Sequence, residues 1–193
     1  MKKIIGLMGK MGSGKDTVST YICDKYGYMT IGYGNITRLI AIEMGLEYNQ
    51  DNLMYIVNKY IKNFGNDYFS KRMIVEIEES GYDKIVVNGI RHVSDASELI
   101  DTFKENVVLL HIDVDKESRY ERMYERDRPG DTKTFDYFIF QDTEEAIKFN
   151  TIITFGMADI HIDNNSNKKG LFTKIDSIIQ DIKFNRLELN RNK

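Results

Sequence analysis

The chain has 193 residues, 41% of them hydrophobic and 30% charged, which suits one domain with a sizeable core and does not suit a disordered chain. A net charge of −3 and a pI near 5.7 argue against a broad nucleic-acid or anionic-membrane surface. The single cysteine, Cys23, rules out an intrachain disulfide and a CxxC metal cage. The Met1–Gly6 start lacks a signal-peptide pattern and no apolar run is long enough for a bilayer, so a cytoplasmic protein without a membrane anchor is expected.

Lys3 to Met8 is a short apolar run ending in glycines and predicts a buried strand. Gly14 to Tyr26 predicts a helix with Val18, Tyr21 and Ile22 on one face, and Tyr28 to Ile31 a second strand. Helices are expected over Thr37 to Met44, Asn52 to Phe64 and Tyr68 to Glu79, punctuated by Gly45 and Gly65. After the break at Gly81, the β-branched run Lys84 to Asn88 predicts a strand, Asp95 to Lys104 a helix, and Val107 to Ile112 another buried strand. Glu117 to Asp127 is a charged helix that stops at Arg128-Pro129-Gly130-Asp131. Phe135 to Phe149 is expected to be helical, Ala158 to Asp163 a last strand, and the stretch through Leu171, Ile175, Ile178, Ile179 and Ile182 a final helix, with a frayed tail from Asn185. Strands alternating with helices predict a three-layer α/β fold, a parallel sheet covered on both faces. Ligands in such folds sit beyond the carboxyl ends of the strands. That selects Gly9 to Lys15, Tyr33 to Arg38, Asn88 to Arg91 and the region after Asp113.

The strongest chemical signal is Gly9-Lys10-Met11-Gly12-Ser13-Gly14-Lys15-Asp16-Thr17, placed between a strand and a helix as a phosphate-binding P-loop requires. Glycines let the backbone curl its N–H groups toward phosphate oxygens, and the helix behind adds its positive N-terminal end. Lys15 would bring a full charge to the β- and γ-phosphates of a nucleoside triphosphate such as ATP. Asp16 stands where the strict pattern has Ser or Thr, so Thr17 or Ser13 is expected to assist with phosphate or Mg²⁺.

Arg119, Arg122 and Arg126 share one helical face, with Arg128 just beyond, and suit a lid that lays guanidinium groups over transferring phosphates and excludes water. The competing structural reading is a solvated face held by pairs such as Asp115–Arg119 and Arg122–Glu125. On the acceptor side, Arg91 at the carboxyl end of a strand and Arg38 at the start of a helix are candidates to grip an acceptor phosphate. No acidic residue lies between Tyr28 and Leu39, which favours an acceptor already ionised as a phosphate over a hydroxyl needing a base, although Asp67, Asp95 or Asp113 could enter from elsewhere. Asp113 could also orient metal-bound water. His92, His111, His161 and Cys23 are read as structural.

The P-loop resembles those of adenylate-kinase-related enzymes, particularly phage-type deoxynucleoside monophosphate kinases, which share Gly-Lys-Asp-Thr. The segments Asn35-Ile36-Thr37-Arg38 with Gly45, Val86 to Arg91, the arginine helix, Asp131 to Phe135 and Ala158 to Asn164 together resemble a largely uncharacterised archaeal family of nucleotide kinases described as dephospho-CoA-kinase-like. The resemblance implies a P-loop NTPase fold with a five-stranded parallel sheet of nucleoside monophosphate kinase type. It implies one kinase domain over about 1–184, an acceptor-binding helical segment over about 35–80 and a lid over about 117–135. Lys15, Arg122 and Arg126 would be catalytic, Gly9 to Thr17 would hold ATP with Mg²⁺ at Thr17, and Arg38 and Arg91 would bind a small nucleotide acceptor. Asn35 and Asn88 stand where these relatives tend to have Asp. An arginine expected before Gly65 is missing, with Lys59 or Lys62 as stand-ins. The expected activity is phosphorylation of a nucleoside or deoxynucleoside monophosphate. The alternatives are dephospho-CoA kinase, a nucleotide-binding regulatory protein without turnover, and, against the acidic charge, a polynucleotide-end kinase.

Overall fold

A computed structural model describes residues 2–47, 49–126 and 134–183. Five strands, β1 (Lys3–Met8), β2 (Met29–Gly32), β3 (Lys84–Ile90), β4 (Val107–Asp113) and β5 (Ile160–Asp163), form one sheet in the order β2-β3-β1-β4-β5. Every pairing is parallel. The helices are α1 (Lys15–Tyr26), α2 (Tyr33–Glu43), α3 (Gln50–Phe64), α4 (Tyr68–Glu79), α5 (Val93–Phe103), α6 (Lys116–Arg126), α7 (Phe135–Phe149), α8 (Thr151–Gly156) and α9 (Lys168–Lys183).

The period-two alternation of β1 sets the three layers. Ile4 and Met8 face a core with Ile36, Ile40, Ile56, Met73, Ile77 and Leu99, supplied by α2 to α5. Ile5 and Leu7 face the other way, onto Val18 and Ile22 of α1 and Leu171, Ile175 and Ile179 of α9. Each such aliphatic side chain, fully withdrawn from water, contributes about 1.5–3 kcal/mol. On the α9 side Asp176 accepts from Tyr21 and Tyr26 hydroxyls at 2.7 and 2.6 Å, which ties α9 to α1.

Several elements depart from the sequence expectation for identifiable reasons. The second helix begins at Tyr33, not Thr37, and Thr37 lies inside it with its hydroxyl donating back to the Tyr33 carbonyl (3.0 Å). The fifth begins at Val93, with Asp95 in its first turn accepting from the backbone of His92 (2.9 Å) and Arg91 (3.1 Å). The third strand runs on to Ile90 because Gly89, at φ +91°, takes up one extra residue: Leu7 pairs with Asn88, but Met8 pairs with Ile90. Asn150, at φ 48°, ends α7 and starts the unanticipated α8. The last strand starts at Ile160, because Asp159 spends its carboxylate on the Leu109 N–H (2.7 Å) ahead of the ladder. The Pro129-Gly130 turn, Arg128 and the tail from Asn185 lie outside the described residues.

Candidate functional site: a phosphate cleft at the sheet's carboxyl edge

β1 sits between β3 and β4, so the chain leaving it enters the crevice where strand order reverses. There Gly9 to Gly14 form a tight curl, closed by Ser13 N–H donating to the Lys10 carbonyl at 3.2 Å. Gly9, Gly12 and Gly14 have φ of +144°, +77° and +97°, a region closed to most L-residues. Space is as demanding as torsion. A Cβ on Gly12 would stand 2.7 Å from the Arg119 carbonyl oxygen, and one on Gly14 would stand 2.7 Å from Asn164 Nδ2.

Lys15 turns back into this curl. Its Nζ donates to the carbonyls of Gly9 (2.6 Å) and Lys10 (2.8 Å), with Ser13 Oγ at 3.5 Å. Burial lowers its pKa to about 7, and the Arg91 cation adds to the fall, while Glu145 and Asp16 oppose it. Around the curl opens a cleft of about 800 Å³, whose walls include Lys15, Thr17, Arg91, Arg122 and Arg126. The structure therefore gathers four of the cations picked from sequence around one space. Arg122 is set by its Nη2 donating to the Asn164 carbonyl at 2.8 Å. Buried Asn164 in turn donates to the Ser13 carbonyl at 2.9 Å, so one residue after β5 spans the arginine helix and the phosphate loop.

Met11, Gly12, Gly14 and Asp16 also line the cleft, whereas Gly9, Lys10 and Ser13 form the curl behind it. Arg38 is exposed on α2 and is not part of the cleft wall. The sequence placed it with Arg91 as a candidate for the acceptor phosphate, and of the two only Arg91 lines the cleft.

Arg119 was expected on the lid face and is instead a buried tie, 3% exposed. Its two terminal nitrogens donate to both oxygens of Asp142 at 2.7 and 2.9 Å, and Nη1 also reaches the Met11 carbonyl at 3.2 Å. Lys10 Nζ donates to the same carboxylate at 2.7 Å. Burial works to raise the pKa of Asp142, but the hydrogen bonds from Arg119 and Lys10 outweigh it and the net shift is downward. Asp142 thus holds the first half of the phosphate loop to α6 and α7. Sequence reasoning missed it, because Asp142 is one of four acids in this helix, with Asp136, Glu144 and Glu145, and nothing in the linear pattern sets it apart.

Arg91 enters the cleft just beyond the Gly89 bulge, and its Nη1 lies 3.3 Å from Glu145 Oε1. Asn88 donates through Nδ2 to Asp16 at 2.9 Å, and its Oδ1 is buried without a hydrogen-bond partner among the described residues. The donors near the start of α1 are therefore hard oxygens: Thr17, Asp16 and the orphaned Asn88 carbonyl. They fit Mg²⁺, which takes few protein ligands and completes its shell with water and phosphate. Among the described residues no group of three or more His, Cys, Asp or Glu could hold a metal alone. His111 and His161 face each other across β4 and β5 with Nδ1 atoms 3.0 Å apart, outside the cleft wall. Cys23 is half-buried against Thr30.

The glycine curl between a central parallel strand and a helix, closed by a lysine, defines a P-loop nucleotide-binding domain of kinase-like fold. Solved structures share it. A shikimate kinase from Acinetobacter baumannii in complex with shikimate matches with a TM-score of 0.56 at 17% identity, over 97% of both chains. A gluconokinase from Sinorhizobium meliloti matches with a TM-score of 0.52 at 14% identity, over 95% of this chain and 97% of that one. At such identities the likeness is one of fold. The chain belongs to the AAA domain family (AAA_18), which matches residues 5–147. It is also similar to the UPF0200 proteins of two archaea. The one from Methanocaldococcus jannaschii is 28% identical over 96% of this chain and 92% of that protein, and the one from Methanosarcina mazei is 27% identical over 86% and 87%. Among the described residues no helix is long and apolar enough to cross a membrane.

Proposed function

We propose that the protein transfers the γ-phosphate of ATP, bound with Mg²⁺, to a nucleoside or deoxynucleoside monophosphate. The observation that carries this reading is the sharing of one cleft by Lys15, Arg91, Arg122 and Arg126. Two phosphorylated groups that must approach each other need their combined negative charge neutralised from both sides, and phosphoryl transfer needs little else from a protein beyond alignment. In this reading the loop from Gly9 to Thr17 and Lys15 hold the triphosphate. Arg122 and Arg126, within the lid segment of about 117–135, neutralise the transferring group, and Arg91 takes the acceptor's phosphate. The segment of about 35–80 covers the acceptor, with Arg38 reaching it only when that segment closes. Thr17, with Asp16 and Asn88 beside it, would hold Mg²⁺, whose chemistry is to neutralise charge on the β- and γ-oxygens.

One observation favours a second reading. The carboxylate of Glu145 beside Arg91 supplies the acidic group that the stretch from Tyr28 to Leu39 lacks, as a hydroxyl acceptor such as dephospho-CoA would require. A panel of ribo- and deoxynucleoside monophosphates plus dephospho-CoA, assayed by ADP release from ATP, separates the two. Acceptor-stimulated release with a monophosphate supports the proposal. Release with dephospho-CoA alone replaces it, and ATP binding with no acceptor-stimulated release removes both in favour of a regulatory protein.

A further inference from the structure

We propose that Glu145 is the resident counter-ion of the acceptor-phosphate site, pairing with Arg91 when the site is empty and giving it up to the incoming phosphate. The inference rests on the reading of Arg91 as the acceptor-phosphate ligand.

α7 carries two carboxylates three residues apart, on one helical face, and both engage cations of the nucleotide site. They are held very differently. Asp142 is gripped through both oxygens at 2.7 and 2.9 Å by an arginine whose side chain is 3% exposed. Glu145 Oε1 lies 3.3 Å from Arg91 Nη1, and the Arg91 side chain is 41% exposed against 14% for Glu145. The first pair is a fixed strut. The second is a longer pair in which Glu145 is largely covered but the Arg91 guanidinium stands open in the wall of the cleft, where an incoming anion can reach it. A phosphate offers more charge than a carboxylate and a geometry that matches both arms of the guanidinium fork.

The surroundings allow the exchange without moving the backbone. Asp142 pins α7, so the Glu145 side chain is what must swing. The Arg91 guanidinium also lies over the Phe149 ring, 5.7 Å from its centroid, and keeps that support when the carboxylate leaves. Glu145 and Arg91 act on the Lys15 ammonium with opposite signs, so the exchange is felt at the ATP side of the cleft as well. Glu145 is then a positioning residue: it presents Arg91 to the cleft and sets a threshold of affinity that only a phosphorylated acceptor passes.

The test is anion binding with the phosphate loop filled by a non-hydrolysable ATP analogue. Orthophosphate and a set of nucleoside monophosphates are titrated into the wild type, Glu145→Gln, Arg91→Gln and the double variant. We expect Glu145→Gln to bind these anions roughly three- to tenfold more tightly, and the gain to vanish in the Arg91→Gln background. Unchanged or weaker binding in Glu145→Gln, or a gain that persists without Arg91, overturns the proposal. So does loss of turnover on a hydroxyl acceptor at unaltered phosphate affinity, which would make Glu145 a base. If no nucleotide is phosphorylated by the wild type but the orthophosphate gain is present and depends on Arg91, the counter-ion role stands and the kinase reading is what fails.

Discussion

Lys15 is buried against its own loop, and on the proposed reading that placement makes ATP binding a proton-linked event. Its Nζ is satisfied by the Gly9 and Lys10 carbonyls, but burial, with Arg91 next, brings its pKa down to about 7. A triphosphate entering the curl places several negative charges beside it and returns the ammonium to its ordinary range near 10. At pH 8, one unit above the free value, about a tenth of the empty molecules carry the charged lysine, so binding takes up about 0.9 proton. Above pH 7 the affinity should then fall toward about tenfold per pH unit. Calorimetric titration of ATP at pH 8 in two buffers of different ionisation heat measures the uptake directly. At that pH the terminal phosphate, titrating near pH 6, is already ionised and does not confuse the count. The linkage also fixes the sign for the empty protein. With a folded pKa below the unfolded one, the unfolded chain binds more protons between about pH 7 and 10, so stability without ligand rises with pH across that window. An uptake near zero at pH 8, together with an affinity flat from pH 7 to 9, would refute the picture of Lys15 as a desolvated, self-satisfied cation.

Lys15→Ala should abolish acceptor-stimulated ADP release while leaving the far-UV circular dichroism and melting behaviour close to wild type; undiminished turnover would remove the P-loop from the mechanism. Arg126→Ala should lower kcat by more than it weakens ATP binding, and a pure affinity loss would mark Arg126 as a binding group only. Asp142→Ala leaves Arg119 charged, 3% exposed and without its carboxylate, a change that costs about 3 kcal/mol in urea unfolding. Because the folded pKa of Asp142 is depressed, its contribution is present above about pH 4 and fades as the pH falls through the folded value. Gly12→Ala combines a φ of +77° with a Cβ 2.7 Å from the Arg119 carbonyl, so ATP affinity in equilibrium titrations should fall at least tenfold.

The centre of the sheet was readable because β1 and β4 are buried along most of their length and written as largely apolar runs. Lys3 to Met8 and Val107 to Ile112 leave no competing period. The errors gather where a side chain does a backbone's work. Thr37 reads as the start of its helix and instead bonds backwards from inside it. Asp159 looks like part of a strand and satisfies the Leu109 amide instead. Neither bond has a signature in the linear pattern, since the alternative partner lies one turn or one strand away. The Gly89 bulge was hidden for the same reason: a glycine after a β-branched run reads equally well as the strand's end.

The site divides along a sharper line. Everything that depends on local backbone chemistry, the glycine curl and the lysine at its end, could be read from nine consecutive residues. What could not be read was which arginine of α6 faces the cleft and which faces protein. Arg119, Arg122 and Arg126 are equivalent by helical spacing, and they are separated only by what approaches from elsewhere: Asp142 from α7 for Arg119, and the Asn164 carbonyl beyond β5 for Arg122. The same partner explains the positive-φ glycine at position 12, which must let the Arg119 backbone come within contact of the loop. The three facts form one construction. A buried acid fixes an arginine, the fixed arginine fixes the loop's first turn, and the next arginine along the helix is thereby held in the wall of the cleft that Lys15 shares. The basic helix is therefore part scaffold and part site, and Asp142 is the residue that assigns the roles.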